Sequence, residues 1–143
     1  MPFVKVWIHF VWSTKNREPL LTADMRPQVF QHIRETALRK DIFIDFIGGY
    51  VDHVHALVSL GTDQTISQIM QLIKGESSFW INKNKLCRGK FGWQDEYFAV
   101  SVSESVVKNV QSYIKNQEEH HRRKTFQEEY EEFLLKAGFQ KFS

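Results

Sequence analysis

The chain opens on strict alternation. Over residues 3–12, Val4, Val6, Ile8, Phe10 and Trp12 fall on one side and Lys5, Trp7 and His9 on the other, the period-two pattern of a strand. Ser13 to Leu20 is polar and ends Glu-Pro-Leu, which reads as a loop. Thr22 stands as an N-cap before a helical pattern over about 23–39, with Val29, Ile33 and Leu38 in its apolar stripe. Residues 41–48 return to strand alternation, with Ile42, Ile44 and Phe46 facing one way, and Gly48-Gly49 ends it. A third strand over 51–60 follows so closely that the two form a hairpin. Here Val54, Ala56, Val58 and Leu60 share one face, and His53, His55, Leu57 and Ser59 the other.

Thr65 then caps a helix over 66–84 with Ile66, Ile69, Leu72 and Ile73 inward. A polar, basic loop runs to about Phe91, and residues 95–102 give a fourth strand. Ser103 caps a helix over about 104–120 with Val106, Val107, Val110 and Ile114 inward, and a shorter helix covers 125–136. The order βαββαβ, followed by helices, predicts an α+β fold of the ferredoxin-like split βαβ type: an antiparallel sheet with two helices on one face. The other face is left for a different cover, and His53 and His55 point toward it. With 143 residues, three prolines, seven glycines and no internal repeat, one domain over 1–143 is expected, ending in a helical tail.

Composition narrows the class. The chain is 42% hydrophobic and 25% charged, and Cys87 is its only cysteine. An intrachain disulfide is therefore excluded, and no apolar run approaches the length of a membrane span, so a cytoplasmic protein is expected. Net charge is only +2, but its distribution is uneven. Lys74, Lys83, Lys85, Arg88 and Lys90 face a single acid, Glu76, over residues 74–90. Residues 120–124 read His-His-Arg-Arg-Lys, and the tail then turns acidic with Glu128, Glu129, Glu131 and Glu132. Such patches suit phosphates, although a solvated surface is the plainer reading of either alone. Trp80 and Trp93 read as core residues before stacking platforms.

Two short patterns carry chemistry. In His53-Val54-His55, imidazoles at i and i+2 on a strand project side by side and can share one metal ion, while Val54 points into the core. In Tyr113-Ile114-Lys115-Asn116-Gln117, four residues make one helical turn, so Tyr113 and Gln117 lie about 6 Å apart on one face. A phenol is a poor nucleophile while protonated, and a neighbouring divalent cation makes it more acidic and a phosphate more electrophilic. Alone, each pattern has an ordinary structural reading, as surface histidines or as a tyrosine packed on Val110. There is no G-x-x-x-x-G-K-[ST] loop for a nucleotide.

Taken in order, the motifs resemble the single-tyrosine HUH transposases, small bacterial insertion-sequence enzymes and their relatives associated with repetitive extragenic palindromes. The resemblance rests on three main stretches: Ile8-His9-Phe10-Val11-Trp12-Ser13-Thr14-Lys15-Asn16-Arg17, Asp52-His53-Val54-His55-Ala56-Leu57-Val58, and Tyr113-Ile114-Lys115-Asn116-Gln117-Glu118-Glu119-His120-His121. Lys74-Gly75 and Phe91-Gly92-Trp93-Gln94 also fit, so it spans residues 3 to 130. It implies that His53, His55 and Gln117 hold Mg²⁺ or Mn²⁺ and that Tyr113 is the catalytic nucleophile. Cleavage and rejoining of single-stranded DNA would then pass through a 5′-phosphotyrosine. It further implies hairpin-ended DNA as partner and a homodimer whose sheets join, with the tyrosine helix able to complete the partner's His pair. Lys15, Arg17, Lys74, Arg88 and Arg122 are the expected DNA contacts. Two other readings stay open at this point. One is a nucleic-acid binder of the same fold that does not cut. The other is a small-molecule metallohydrolase drawing on His9 and Asp52.

Overall fold

The computed structural model describes residues 2–121 and 123–139; Arg122, one of the expected DNA contacts, lies outside them. Strands β1 (Trp7–Thr14), β2 (Phe43–Gly49), β3 (His53–Ser59) and β4 (Trp93–Val102) form one sheet in the order β2-β3-β1-β4. Every neighbouring pair is antiparallel, which is the predicted split βαβ topology. Helices α1 (Arg26–Arg39) and α2 (Ile66–Lys83) pack on one face. Ile8, Phe10, Trp12, Val54, Ala56 and Val58 meet Val29, Ile33, Ile69 and Ile73 there in the main core. Thr65 caps α2 as expected and forms a full capping box with Gln68.

The second sheet face is covered by the chain's own C-terminal segment. Helices α3 (Val107–Lys115), α4 (Gln117–His120) and α5 (Phe126–Lys136) follow β4. Val107 and Ile114 of α3 bury Trp7 and Leu57, while Phe126 of α5 buries Val11 and Phe98. His9, His53 and His55 point to this face and are enclosed, the two latter at 0% exposure.

Several local expectations are corrected. β1 begins at Trp7, and Val4 and Val6 are exposed. α1 begins at Arg26, not 23: the carbonyl of Thr22 accepts from the N–H groups of Met25 and Arg26, and Pro27 opens the helix. Leu38 is exposed, and Ala37 takes the inward place. A bulge in β2 sets Ile44 and Phe46, two residues apart, opposite adjacent Val58 and Leu57. The extra residue, Asp45, turns Phe46 to the second face, away from Ile42 and Ile44.

The helix expected over 104–120 is broken. A 3₁₀ turn spans Glu104–Val106 and leaves Val106 exposed, and Ser103 makes no capping bond to it. Asn116, at φ −95° and ψ 24°, separates α3 from α4. Asn is a residue type that readily leaves helical geometry.

Gly48 and Gly49 do not end β2 but pair with His55 and Val54. A Cβ at Gly48 would lie 2.9 Å from the Ile114 carbonyl oxygen, and one at Gly49 2.2 Å from the carbonyl oxygen of His53. No side chain fits at Gly49, and Gly48 lets the α3 backbone descend beside the His pair. That approach fixes the height of Tyr113 above the sheet.

Candidate metal and tyrosine centre

β3 presents His53 and His55 side by side, and each outer ring nitrogen is engaged. Nδ1 of His53 is 2.8 Å from the Asp52 carboxylate, and Nδ1 of His55 is 2.9 Å from Nε2 of His9 on the neighbouring strand. A His53 that donates from Nδ1 to Asp52 turns the lone pair of Nε2 inward, as ligating histidines are commonly fixed. Asp52 and His9, candidate ligands in the hydrolase reading, are therefore used behind the pair.

What faces those inner nitrogens is more acceptor. Gln117 Oε1 is 2.8 Å from His53 Nε2, and the same amide donates from its nitrogen to the Tyr113 carbonyl at 3.3 Å, which orients its oxygen toward the histidine. Glu129 Oε1 lies 3.2 Å from His55 Nε2 and 3.5 Å from His53 Nε2. Ligands at about 2.1 Å from one cation sit about 3 Å from each other. The donor set His53, His55, Gln117 and Glu129 thus has the spacing of a shared divalent ion, which would take the place of the ring proton that His55 otherwise gives to Glu129. His53, His55 and Glu129 form one of the clusters able to hold a metal.

Tyr113 stands over this set. Its hydroxyl donates to Glu129 Oε2 and lies 3.3 Å from His120 Nε2. Its ring meets those of His55 and Phe133 edge-on. Burial, with the adjoining Glu129 carboxylate, pushes the phenol well above the usual tyrosine range. Burial alone would raise Glu129, but hydrogen bonds from His121 and His55 outweigh it and hold the carboxylate ionised, far below its ordinary value. Tyr113 is nonetheless reachable. A groove of about 620 Å³ on the α3–α4 side is lined by Tyr113, Asn116, His120, Arg123 and Lys124.

Burial lowers His55 from 6.5 to about 4 and His9 to about 3. Both rings are held neutral while the unfolded chain takes up protons below 6.5, so the unfolded state binds more protons in that window. Stability is therefore expected to fall, by on the order of a few kcal/mol, as pH drops from 6.5 toward 4. His121, raised by its bond to Glu129 against the opposite pull of burial, offsets part of this loss. Thermal denaturation of the metal-free protein across that range checks the sign.

The expected DNA contacts separate. Lys15 and Arg17 lie at the end of β1, tied to the start of β4 through Lys15 N to Gly92 O and Asn16 N to Gln94 Oε1. The Arg17 guanidinium rests over Phe126 and Tyr130, 5.4 and 5.7 Å from the ring centres. Phe126 in turn stacks on His53 at 4.1 Å, so this basic corner abuts the His53–His55 pair. Lys74 donates to the carbonyls of Gln94 and Asp95, tying α2 to β4, and burial lowers its pKa. Arg88 is exposed on the loop before β4.

Glu129 was not singled out by the sequence reading. The signal was present: Phe126, Tyr130 and Phe133 set the apolar stripe of α5, and Glu129 falls on it, 1% exposed. An acid on an apolar stripe needs a partner. His120 and His121, which read in the sequence as part of a basic patch, also converge on this carboxylate at 2.8 and 3.3 Å.

Comparison with known proteins supplies the family. The family model described as "Transposase IS200 like" matches residues 3–117. The ISDra2 transposase TnpA of Deinococcus radiodurans is 27% identical over 115 residues, covering 76% of this chain and 81% of its own. A crystal structure of a transposase from D. radiodurans R1 superposes with a TM-score of 0.64 at 23% identity, over 81% of this chain and 93% of that one. A REP-associated tyrosine transposase bound to a REP hairpin gives 0.59 at 14% identity, over 86% and 71%; these two superpositions establish the shared fold. The chain belongs to the IS200-like tyrosine transposases, a family of metal-dependent DNA-cleaving enzymes.

Proposed function

We propose that the chain cleaves and rejoins single-stranded DNA with Tyr113 as nucleophile and with His53, His55 and Gln117, joined by Glu129, as ligands of a divalent cation, Mg²⁺ or Mn²⁺. One observation carries the reading: two imidazoles fixed from behind turn their inner nitrogens onto an amide and a carboxylate oxygen, beside a tyrosine hydroxyl. When bound, the cation supplies charge that favours the phenolate and polarises the scissile phosphate. Imidazole donors suit Mn²⁺ better than Mg²⁺, whereas the carboxylate of Glu129 supplies the oxygen that Mg²⁺ prefers.

The Tyr113 oxygen bonds to phosphorus, the bond from phosphorus to the 3′ oxygen breaks, and the proton given up by Tyr113 is balanced by the one the departing 3′ oxygen takes up. The 5′ phosphate is then held on Tyr113 and a 3′ hydroxyl is released. A second 3′ hydroxyl reverses the exchange and seals a new junction, so one phosphoester replaces another and no nucleotide is consumed. Of the expected contacts, Lys15 and Arg88 are exposed and placed to hold phosphates, with Arg17 at the edge of the metal pair. Lys74 acts mainly by bracing β4.

The relative solved with a REP hairpin supports hairpin-ended DNA as the partner of this chain. A homodimer remains part of the reading on the family resemblance. Tyr113, however, reaches the metal ligands of its own chain, so exchange of the tyrosine helix is not needed to complete a site. Among the described residues no helix is long and apolar enough to cross a membrane, and work on chromosomal DNA in the bacterial cytoplasm fits that.

The test is incubation with a single-stranded oligonucleotide that ends in a hairpin. Cleavage is expected with Mn²⁺, is expected to stop on chelation, and should leave the downstream fragment bound to the protein through its 5′ phosphate. Tight hairpin binding with no cleavage under any divalent ion would favour a binding protein of the same fold.

A further inference from the structure

Glu129 has two oxygens, and only Oε1 faces the His pair. Oε2 faces a second group of donors: His120 Nε2 at 2.8 Å, His121 Nε2 at 3.3 Å and the Tyr113 hydroxyl. His120 Nε2 and the Tyr113 hydroxyl are themselves 3.3 Å apart. These are again the separations of atoms sharing one cation.

The convergence is built. Consecutive helical residues diverge by about 100°, yet His120 and His121 turn to the same carboxylate because α4 ends between them. His121 is also held from behind: its Nδ1 lies 2.7 Å from the Lys124 carbonyl, which fixes Nε2 inward as Asp52 does for His53. Its ring stacks on Tyr50 at 5.5 Å. Such an arrangement is more than a carboxylate neutralised by a passing histidine. The access differs too. The first group is sealed by α5, whereas the His120 side chain is 27% exposed and lines the groove that also reaches Tyr113, Asn116, Arg123 and Lys124. That groove has room for water and a phosphate oxygen to complete a coordination shell.

We infer that His120, His121 and Glu129 form a second divalent-cation site, bridged by Glu129 to the one at His53 and His55 and open to the groove beside Tyr113. It deepens the proposed reaction and rests on that reading for its first ion. A cation held there would add charge beside the Tyr113 hydroxyl and so favour the phenolate. The second ion would face the attacking oxygen of Tyr113. The ligands, imidazole with a single carboxylate, favour Mn²⁺ or Zn²⁺ over Ca²⁺.

The experiment is Mn²⁺ titration of the full chain followed by calorimetry and electron paramagnetic resonance, with no DNA and no turnover. The wild type is expected to bind two ions with a spin-coupled spectrum. The His120→Asn/His121→Asn variant should bind one and show the hyperfine pattern of an isolated ion, and Glu129→Gln should lose the coupling. His120→Asn alone changes a partly exposed side chain, so it keeps the test valid should the double variant fold poorly; it should weaken the second ion at least tenfold. One ion in the wild type, lost in His53→Ala/His55→Ala and unaffected by the His120 and His121 changes, overturns the second site and leaves the first. One ion lost only with His120 and His121 overturns the first and leaves the second.

Discussion

Tyr113→Phe should abolish the covalent protein–DNA adduct and lower strand cleavage by at least about four orders of magnitude, the scale of loss when a covalent nucleophile is removed. The change is clean. The ring keeps its edge-on contacts with His55, His120 and Phe133, so the helix stays seated. Only the hydroxyl goes, and Glu129 retains His55, His120 and His121 as partners. The stability cost should be about 1 kcal/mol, the net worth of one hydrogen bond. Hairpin binding should be nearly unchanged, because the basic residues around β4 are untouched. Gel separation of adducts, with thermal denaturation as control, reads both effects.

Replacing a histidine of the His53–His55 pair should act on two levels at once. His55→Ala removes an inner donor, leaves Glu129 Oε1 to the more distant His53 at 3.5 Å and opens a cavity under α5, since His55 is fully buried. A large-to-small change of this kind costs about 2–5 kcal/mol, and Mn²⁺ affinity and cleavage should fall by more than about 100-fold, beyond what loss of an outer partner causes. Asp52→Asn is the informative contrast. It keeps both imidazoles but weakens the hold on His53 Nδ1, so Mn²⁺ affinity should drop by about 10- to 100-fold with little loss of stability. Isothermal titration beside a melting curve separates the two levels. Equal Mn²⁺ affinity in wild type and His55→Ala would remove the His pair from the metal site.

Much of this centre was legible in the chain. Alternation in β3 put His53 and His55 on the face opposite Val54, and helical spacing put Gln117 one turn after Tyr113. Both hold in the structure, where Gln117 Oε1 reaches His53. What stayed hidden depends on single residues acting against their element. Asp45 adds one residue to β2 and so reverses the face of everything after it, including Gly48, whose bare backbone admits α3. Asn116 breaks what reads as one continuous amphipathic helix, and the end of α4 between His120 and His121 lets both turn to one carboxylate. Glu129 lies in a run of glutamates that reads as a solvated tail, and only its register with Phe126, Tyr130 and Phe133 marks it as inward. Local periodicity carries no information on which element covers the second sheet face, because that is decided by contacts far apart in sequence.

The central claim is that Tyr113, and no other side chain, bonds to the 5′ phosphate. The most direct measurement is to trap the adduct formed from a hairpin-ended single strand in Mn²⁺, digest it, and locate the attached nucleotide by mass spectrometry. The nucleotide is predicted on the peptide containing Tyr113, linked through its 5′ phosphate and absent after chelation. Attachment at Tyr50, Tyr97 or Tyr130, or cleavage that leaves no attached nucleotide, would contradict it.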